Sequence, residues 1–200
     1  RMGWTPDGGK VVLQIQNRVQ TWLDLVYADP QTGALTPVLK ETSPSWVNIL
    51  GEPRWLRDGA FLWLSERTGY KHVYCHEADG RLRHAVTSGD WAVDDIVKLD
   101  EDKGSLWFTG TRDGAVDKHA YRIGLDGQGL VHLTKERGTH DIEISPDGSR
   151  LVERFSSLTT PPQLRMCSAD GEVVKVLQEA KVPAVERWGY QTRELHVVKT

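Results

Sequence analysis

The sequence predicts an all-β chain, a β-propeller of four consecutive four-stranded antiparallel blades. Three observations predict it: turn signals recur at blade-like intervals, a second turn series runs in phase with the first, and the segments between turns alternate apolar and polar residues. The first series is Pro6-Asp7-Gly8-Gly9, Arg57-Asp58-Gly59, Asp100-Glu101-Asp102-Lys103-Gly104 and Pro146-Asp147-Gly148, with Asp7, Asp58, Asp102 and Asp147 about 51, 44 and 45 residues apart. The second is Asp29-Pro30-Gln31-Thr32-Gly33, Ala78-Asp79-Gly80, Leu125-Asp126-Gly127 and Ala169-Asp170-Gly171, each about 21 to 24 residues after the first. That interval holds two strands of ordinary length and their link. A two-sheet sandwich also gives short, evenly spaced strands, but it does not repeat a two-turn pattern four times.

The blades take residues 1–45, 46–91, 92–138 and 139–184, so the propeller portion spans 1–184. The first blade opens on the end of a strand at Trp4 and continues with strands at 11–16, 22–27 and 35–39. The second has strands at 47–50, 60–65, 72–75 and 83–87. The third has 94–99, 105–109, 119–123 and 131–134, and the fourth 141–145, 150–155, 163–167 and 173–177. Trp63 and Trp107 share one position in successive blades and are expected to fill gaps between blades, where a large ring buries most area.

Composition narrows the function. The chain has 200 residues, with 25 Lys and Arg against 28 Asp and Glu, a net charge of -3. A polyanion-binding domain carries a basic excess, so nucleic acid is not an expected partner. No apolar run approaches the roughly 20 residues of a membrane helix. Cys75 and Cys167 are too few for a disulfide framework or a cysteine zinc knuckle, and they are not expected to pair. The start, Arg1-Met2-Gly3-Trp4, is no secretory signal and reads as a cut edge.

Several blocks resemble the dipeptidyl peptidase IV branch of the prolyl oligopeptidase family. The most specific is Phe61-Leu62-Trp63-Leu64-Ser65-Glu66-Arg67-Thr68-Gly69-Tyr70-Lys71-His72-Val73-Tyr74. Ser45-Trp46-Val47-Asn48, Thr87-Ser88-Gly89-Asp90-Trp91, Gly138-Thr139-His140 through Gly148, and residues 156–162 are also similar to it. The resemblance implies an eight-bladed propeller joined to an α/β-hydrolase, of which this chain would be the second half of the ring. Residues 185–200 would then be an exit strand toward a hydrolase domain of the same parent chain. It further implies a propeller that restricts access of peptide substrate to a serine nucleophile. Residues 49–53 fall where relatives have an arginine-bearing loop near the substrate, but here that stretch, Ile49-Leu50-Gly51-Glu52-Pro53, has no arginine before Arg54. The family's substrate-amine carboxylates come from an earlier blade, and no residue here is assigned that role.

The chain itself is expected to be non-catalytic. A nucleophile elbow needs Gly-x-Ser-x-Gly, and the one glycine pair at that spacing, Gly110 and Gly114, brackets Arg112. His72 and His76 in a strand lie about 13 Å apart, too far to share a metal. Asp94 and Asp95 are strand neighbours that face opposite sides, so they form no dyad. His140 beside Asp141 is expected to cap the turn entering the last blade, and Glu41 to lie in a surface turn before Thr42-Ser43-Pro44. Asp100-Glu101-Asp102 reads as a solvated hairpin tip, because it lacks the alternating ligands of a calcium loop. Glu66 and Arg67 are expected to pair with neighbouring strands, and Trp91 to pack where one blade crosses to the next. No cofactor or metal is expected. The remaining expectations are self-association through open blade faces and, as the alternative function, a free-standing propeller that binds a protein or peptide.

Overall fold

Two kinds of strand build the molecule: central strands buried on both faces, and outer strands left open to solvent. The computed structural model describes residues 1–180, so the exit strand expected at 185–200 lies outside the described residues. Sixteen strands form four antiparallel sheets in chain order, and no helix occurs among the described residues.

The chain divides into two units. The first holds Arg1–Ala92 with Leu125–Gln128, and the second holds Val93–Gly124 with the described residues from Gly129 onward. In the first unit one sheet has the order β1 (Met2–Trp4), β2 (Val11–Gln16), β3 (Trp22–Ala28), β4 (Leu35–Thr42). The other has β5 (Arg54–Trp55), β6 (Phe61–Ser65), β7 (His72–His76), β8 (Leu82–Ala85). In the second unit the sheets are β9 (Val93–Asp100), β10 (Ser105–Gly110), β11 (His119–Gly124), β12 (Val131–His132), and β13 (Thr139–Ile144), β14 (Arg150–Ser156), β15 (Gln163–Ser168), β16 (Val173–Glu179). This is a partial β-propeller, as the repeat predicts.

One strand falls elsewhere than expected. Residues 47–50 are unpaired, and the short inner strand is β5 at Arg54–Trp55. Gly51, at φ 131°, and Pro53 break the extended run. Val47 instead bonds back to the preceding sheet: its N–H donates to the Gln20 carbonyl at 2.7 Å and its carbonyl accepts Gln16 Nε2 at 2.6 Å.

The turns repeat down to their hydrogen bonds. The Thr5 hydroxyl donates to Asp7 Oδ1 at 2.6 Å, which also accepts the Gly9 N–H at 3.0 Å. Ser145, Asp147 and Ser149 reproduce both bonds at the same distances. Two glycines of the second turn series, Gly80 and Gly171, work differently. Gly80, at φ 88°, lies so close to the neighbouring outer strand that a Cβ would sit 1.7 Å from the Val38 carbonyl oxygen. Gly171, at φ 85°, would meet the Leu133 carbonyl oxygen at 1.8 Å. These glycines let a turn dock on backbone.

Each unit has a core that joins its two sheets. Trp63 packs with Val12, Leu23, Leu25, Tyr27 and Phe61 in the first, and Trp107 with Leu133, Leu151 and Cys167 in the second. Both tryptophans bridge sheets from equivalent strands, β6 and β10, the place expected for them.

Candidate functional site

One end of the first unit gathers the β2–β3 loop, the β4–β5 connection and the β6–β7 loop. The β2–β3 and β4–β5 segments are joined through Val47 and by the Ser43 N–H, which donates to the Thr21 carbonyl at 3.0 Å. Asn48 Nδ2 ties the connection to the β6–β7 loop by donating to Glu66 Oε2 at 2.7 Å. Beneath these loops is a cavity of about 60 Å³ lined by Leu23, Glu41, Trp46, Val47, Trp63 and Ser65 among others.

Glu41 anchors the site. It is 9% exposed, which corrects the expected surface turn. The reason is register: β4 runs on to Thr42, and Glu41 pairs with Leu23 of β3, so its side chain shares that inward face. Its Oε1 accepts Trp63 Nε1 at 3.1 Å and Arg67 Nη2 at 2.7 Å, and its Oε2 accepts the Ser65 hydroxyl at 2.9 Å. Arg67 Nε donates to Ser65 Oγ at 2.9 Å, and the guanidinium lies 4.3 Å over the Tyr74 ring. Arg67 therefore pairs with a neighbouring strand, as expected. The next shell reaches His76, whose Nδ1 donates to the Gly80 carbonyl at 2.7 Å and whose Nε2 faces Arg67 Nη2 at 3.4 Å. Burial, and then the Arg67 charge, push its imidazole below the ordinary value, although the Gly80 bond acts the other way.

Above this anchored layer the rim is apolar and open. Trp46 is 57% exposed, and Ile49, Tyr70 and Val19 are also exposed. The Ser65 hydroxyl donates to a carboxylate and receives two Arg67 N–H groups, so it is held as a structural bridge. The arrangement fixes loops and presents a surface.

The other sequence candidates are absorbed into structure. His72 is buried; its Nε2 donates to the Gly89 carbonyl at 2.9 Å and its Nδ1 accepts the Thr87 hydroxyl at 3.0 Å. It meets Trp91 edge-on at 5.0 Å, which pins residues 88–91 where one sheet gives way to the next segment. Asp94 accepts Lys118 at 3.3 Å, while Asp95 accepts its own neighbour's Ile96 N–H at 2.8 Å. His140 caps the turn entering β13, as expected, its Nε2 donating to the Glu136 carbonyl at 2.7 Å. It lies in β13 opposite Phe155, is buried, and faces Glu153 at 2.6 Å. Alternation along β13 and β14 puts both residues inward. Cys75 and Cys167 are free thiols, both buried, and burial raises each thiol above its ordinary value.

The family model for the dipeptidyl peptidase IV N-terminal region matches residues 1–162. The chain belongs to that family. A probable dipeptidyl peptidase 4 of Arthroderma benhamiae is 23% identical over 204 residues, covering 92% of this chain and 26% of the relative. Dipeptidyl peptidase 4 of Trichophyton rubrum is 25% identical over 135 residues, covering 61% of this chain and 17% of the relative. Among solved structures, Porphyromonas gingivalis dipeptidyl peptidase 4 superposes with a TM-score of 0.80 at 21% identity, over 94% of this chain and 27% of that one. That likeness carries the propeller fold. This member of the dipeptidyl peptidase IV N-terminal region family thus spans about a quarter of the length of the relatives that cover most of it.

Proposed function

We propose that this chain is the propeller portion of a dipeptidyl peptidase IV-like serine peptidase, gating peptide access and scaffolding a hydrolase domain that carries the nucleophile. Family membership supports the reading, and one observation carries it further: the apolar rim of Trp46, Ile49 and Tyr70 stands on a loop layer clamped from below by Glu41 and Arg67. A rigid base under an open apolar rim suits a surface that meets another domain and its substrate. In this reading the blades keep the limits 1–45, 46–91, 92–138 and 139–184, and residues 185–200 lead into the hydrolase. The parent enzyme acts on short peptides.

A second reading is a free-standing module that binds a peptide or protein. A cavity of about 490 Å³ at the opposite end of the first unit favours it, lined by Tyr27, Trp55, Leu56, Pro37, Val38 and Lys10 among others. That is within the usual size of a ligand pocket.

The parent reading frame separates the two. An in-frame Gly-x-Ser-x-Gly after residue 200, followed by Asp and His, supports the peptidase reading, and a prompt stop codon sinks it. In the parent enzyme, Trp46→Ala should then change KM for peptide at least threefold with little effect on kcat. An unchanged KM would remove the rim from the gate.

A further inference from the structure

The second unit contains a continuous column of rings that crosses from one sheet to the other. Phe108 stacks on Tyr121 at 5.3 Å, Tyr121 on His132 at 4.9 Å, and His132 meets His119 edge-on at 4.7 Å. His119 stacks on His140 at 5.1 Å, His140 lies 4.8 Å from Phe155, and the Arg165 guanidinium covers Phe155 at 4.0 Å. The first four rings belong to the β9–β12 sheet, and His140, Phe155 and Arg165 to the β13–β16 sheet. Beside the column the two sheets are stitched by backbone. The Lys118 N–H donates to the Gly138 carbonyl and the His140 N–H to the Lys118 carbonyl, both at 2.9 Å.

Burial weighs against an extra proton on His132 and on His119. His132 Nδ1 lies 3.6 Å from Asp113, and its Nε2 is buried with no hydrogen-bond partner, so a new proton there would be a buried, unmatched N–H. His119 Nδ1 faces the Thr134 hydroxyl at 3.3 Å, and that oxygen already accepts the Ala120 N–H at 2.9 Å. The hydroxyl can donate its own proton to the ring or accept a second one from it, so this contact serves either protonation state, and burial is what weighs against the charged ring. His140 Nε2 donates to the Glu136 carbonyl at 2.7 Å, and its Nδ1 is 2.6 Å from Glu153, so a proton already lies in that bond whichever atom holds it.

Charged groups face the column from every side. The β10–β11 connection supplies Arg112, Asp113 and Asp117; Asp113 accepts the Tyr121 hydroxyl at 2.8 Å, and Asp117 is held by Arg137 at 3.0 Å. Lys118 stands between Asp94 of β9 and Asp141 of β13. From β14 and β15 come Glu153 and Arg165, 3.6 Å apart, and Arg165 also pairs with Glu136 at 2.7 Å. The Cys167 thiol lies 3.9 Å from Glu153.

We propose that this column is an acid-sensitive joint: proton uptake at His132 or His119 loosens the β9–β12 sheet from the β13–β16 sheet. Burial is the main cause holding both imidazoles below their ordinary value, with neighbouring imidazoles acting in the same direction. An opened or unfolded joint therefore binds protons more tightly than the closed one. The closed joint has its full stability above the ordinary imidazole value of about 6.5 and loses it as the pH falls below that point.

Hydrogen exchange on the 200-residue chain at pH 7.5 and 5.5, corrected for intrinsic rates, tests this. Amides of β11 and β13 should lose about tenfold in protection on acidification, with β2 and β3 unchanged. A double substitution, His132→Phe with His119→Gln, should abolish most of that loss. Equal protection at the two pH values overturns the joint, as does an equal loss in both units or an undiminished loss in the folded double variant. Should the variant fail to fold, imidazole NMR titration of the unsubstituted chain decides. Titration of His119 and His132 at or above about 6.5 overturns it, and titration below supports it.

Discussion

Glu41 shows how much a single buried acid can organise. Three donors from β6 and the loop after it converge on its two oxygens, so truncation leaves an arginine, an indole N–H and a hydroxyl unmatched together. Glu41→Ala should destabilise the chain by about 2–3 kcal/mol, less than a fully buried pair because the Arg67 side chain is 29% exposed. Glu41→Gln keeps an acceptor and should lose about half as much. Urea unfolding measures both, and equal losses would mean that the charge is irrelevant. Tyr27 offers a test at alkaline pH. Its hydroxyl donates to the Ala78 carbonyl at 2.9 Å, and burial, then the Asp79 charge, push it up to about 12. The fold therefore favours the neutral phenol: its contribution is complete below the ordinary value of about 10 and is lost as the pH rises toward 12. Burial also holds Tyr121 well above the ordinary value, so phenolate absorbance should show two fewer tyrosines ionising at pH 10.5 in the folded chain than in urea, and Tyr27→Phe should remove one of the two.

The informative elements are the turns. Turn glycines look alike in sequence, yet Gly80 and Gly171 do different work from Gly8 and Gly33. The first-series glycine at Gly8 has φ 68° and open space around it, so a side chain there meets only backbone strain. Gly80 and Gly171 add a carbonyl oxygen inside van der Waals distance of any Cβ. Gly8→Ala should therefore destabilise by about 1 kcal/mol, and Gly80→Ala or Gly171→Ala by about 3 kcal/mol or more, since a turn must back away from its neighbour. Thermal denaturation of the three variants side by side checks the order. The 47–50 segment makes the complementary point. Its residues have strand character, but the chain must cross from one sheet to the next there. Gly51 and Pro53 accommodate the crossing, and hydrogen bonds to Gln16 and Gln20 replace the missing ladder.

At the scale of the whole molecule, the outer edges govern behaviour in solution. All seven residues of β16 are exposed, including Val173, Val174, Val176 and Leu177, and an open apolar edge strand recruits another strand. Sedimentation equilibrium at micromolar concentration should show self-association that Val174→Lys with Val176→Lys abolishes. A monomer at every concentration would contradict this. Fluorophosphonate should label no serine of this chain, because none sits in a Gly-x-Ser-x-Gly turn with a base and an oxyanion hole. A labelled serine would overturn that expectation.

The architecture was readable before any coordinates, because a blade must alternate inward and outward residues and turn at fixed intervals, and both constraints are local. The spacing of Asp7, Asp58, Asp102 and Asp147, with the companion series, is enough to set the four sheets and the positions of Trp63 and Trp107. The family was legible too, in the block from Phe61 to Tyr74. The candidate site was not. Glu41 reads as a surface acid until β4 is seen to pair it with Leu23, and His140, which caps its turn as the sequence suggests, gives no sign of its buried partner Glu153 until β13 and β14 come together. Side-chain alternation is a property of one strand, whereas a buried charge is stable only through partners about 13 to 29 residues away in the chain. Which charges are buried, and which partners they find, is therefore decided only when the sheets come together.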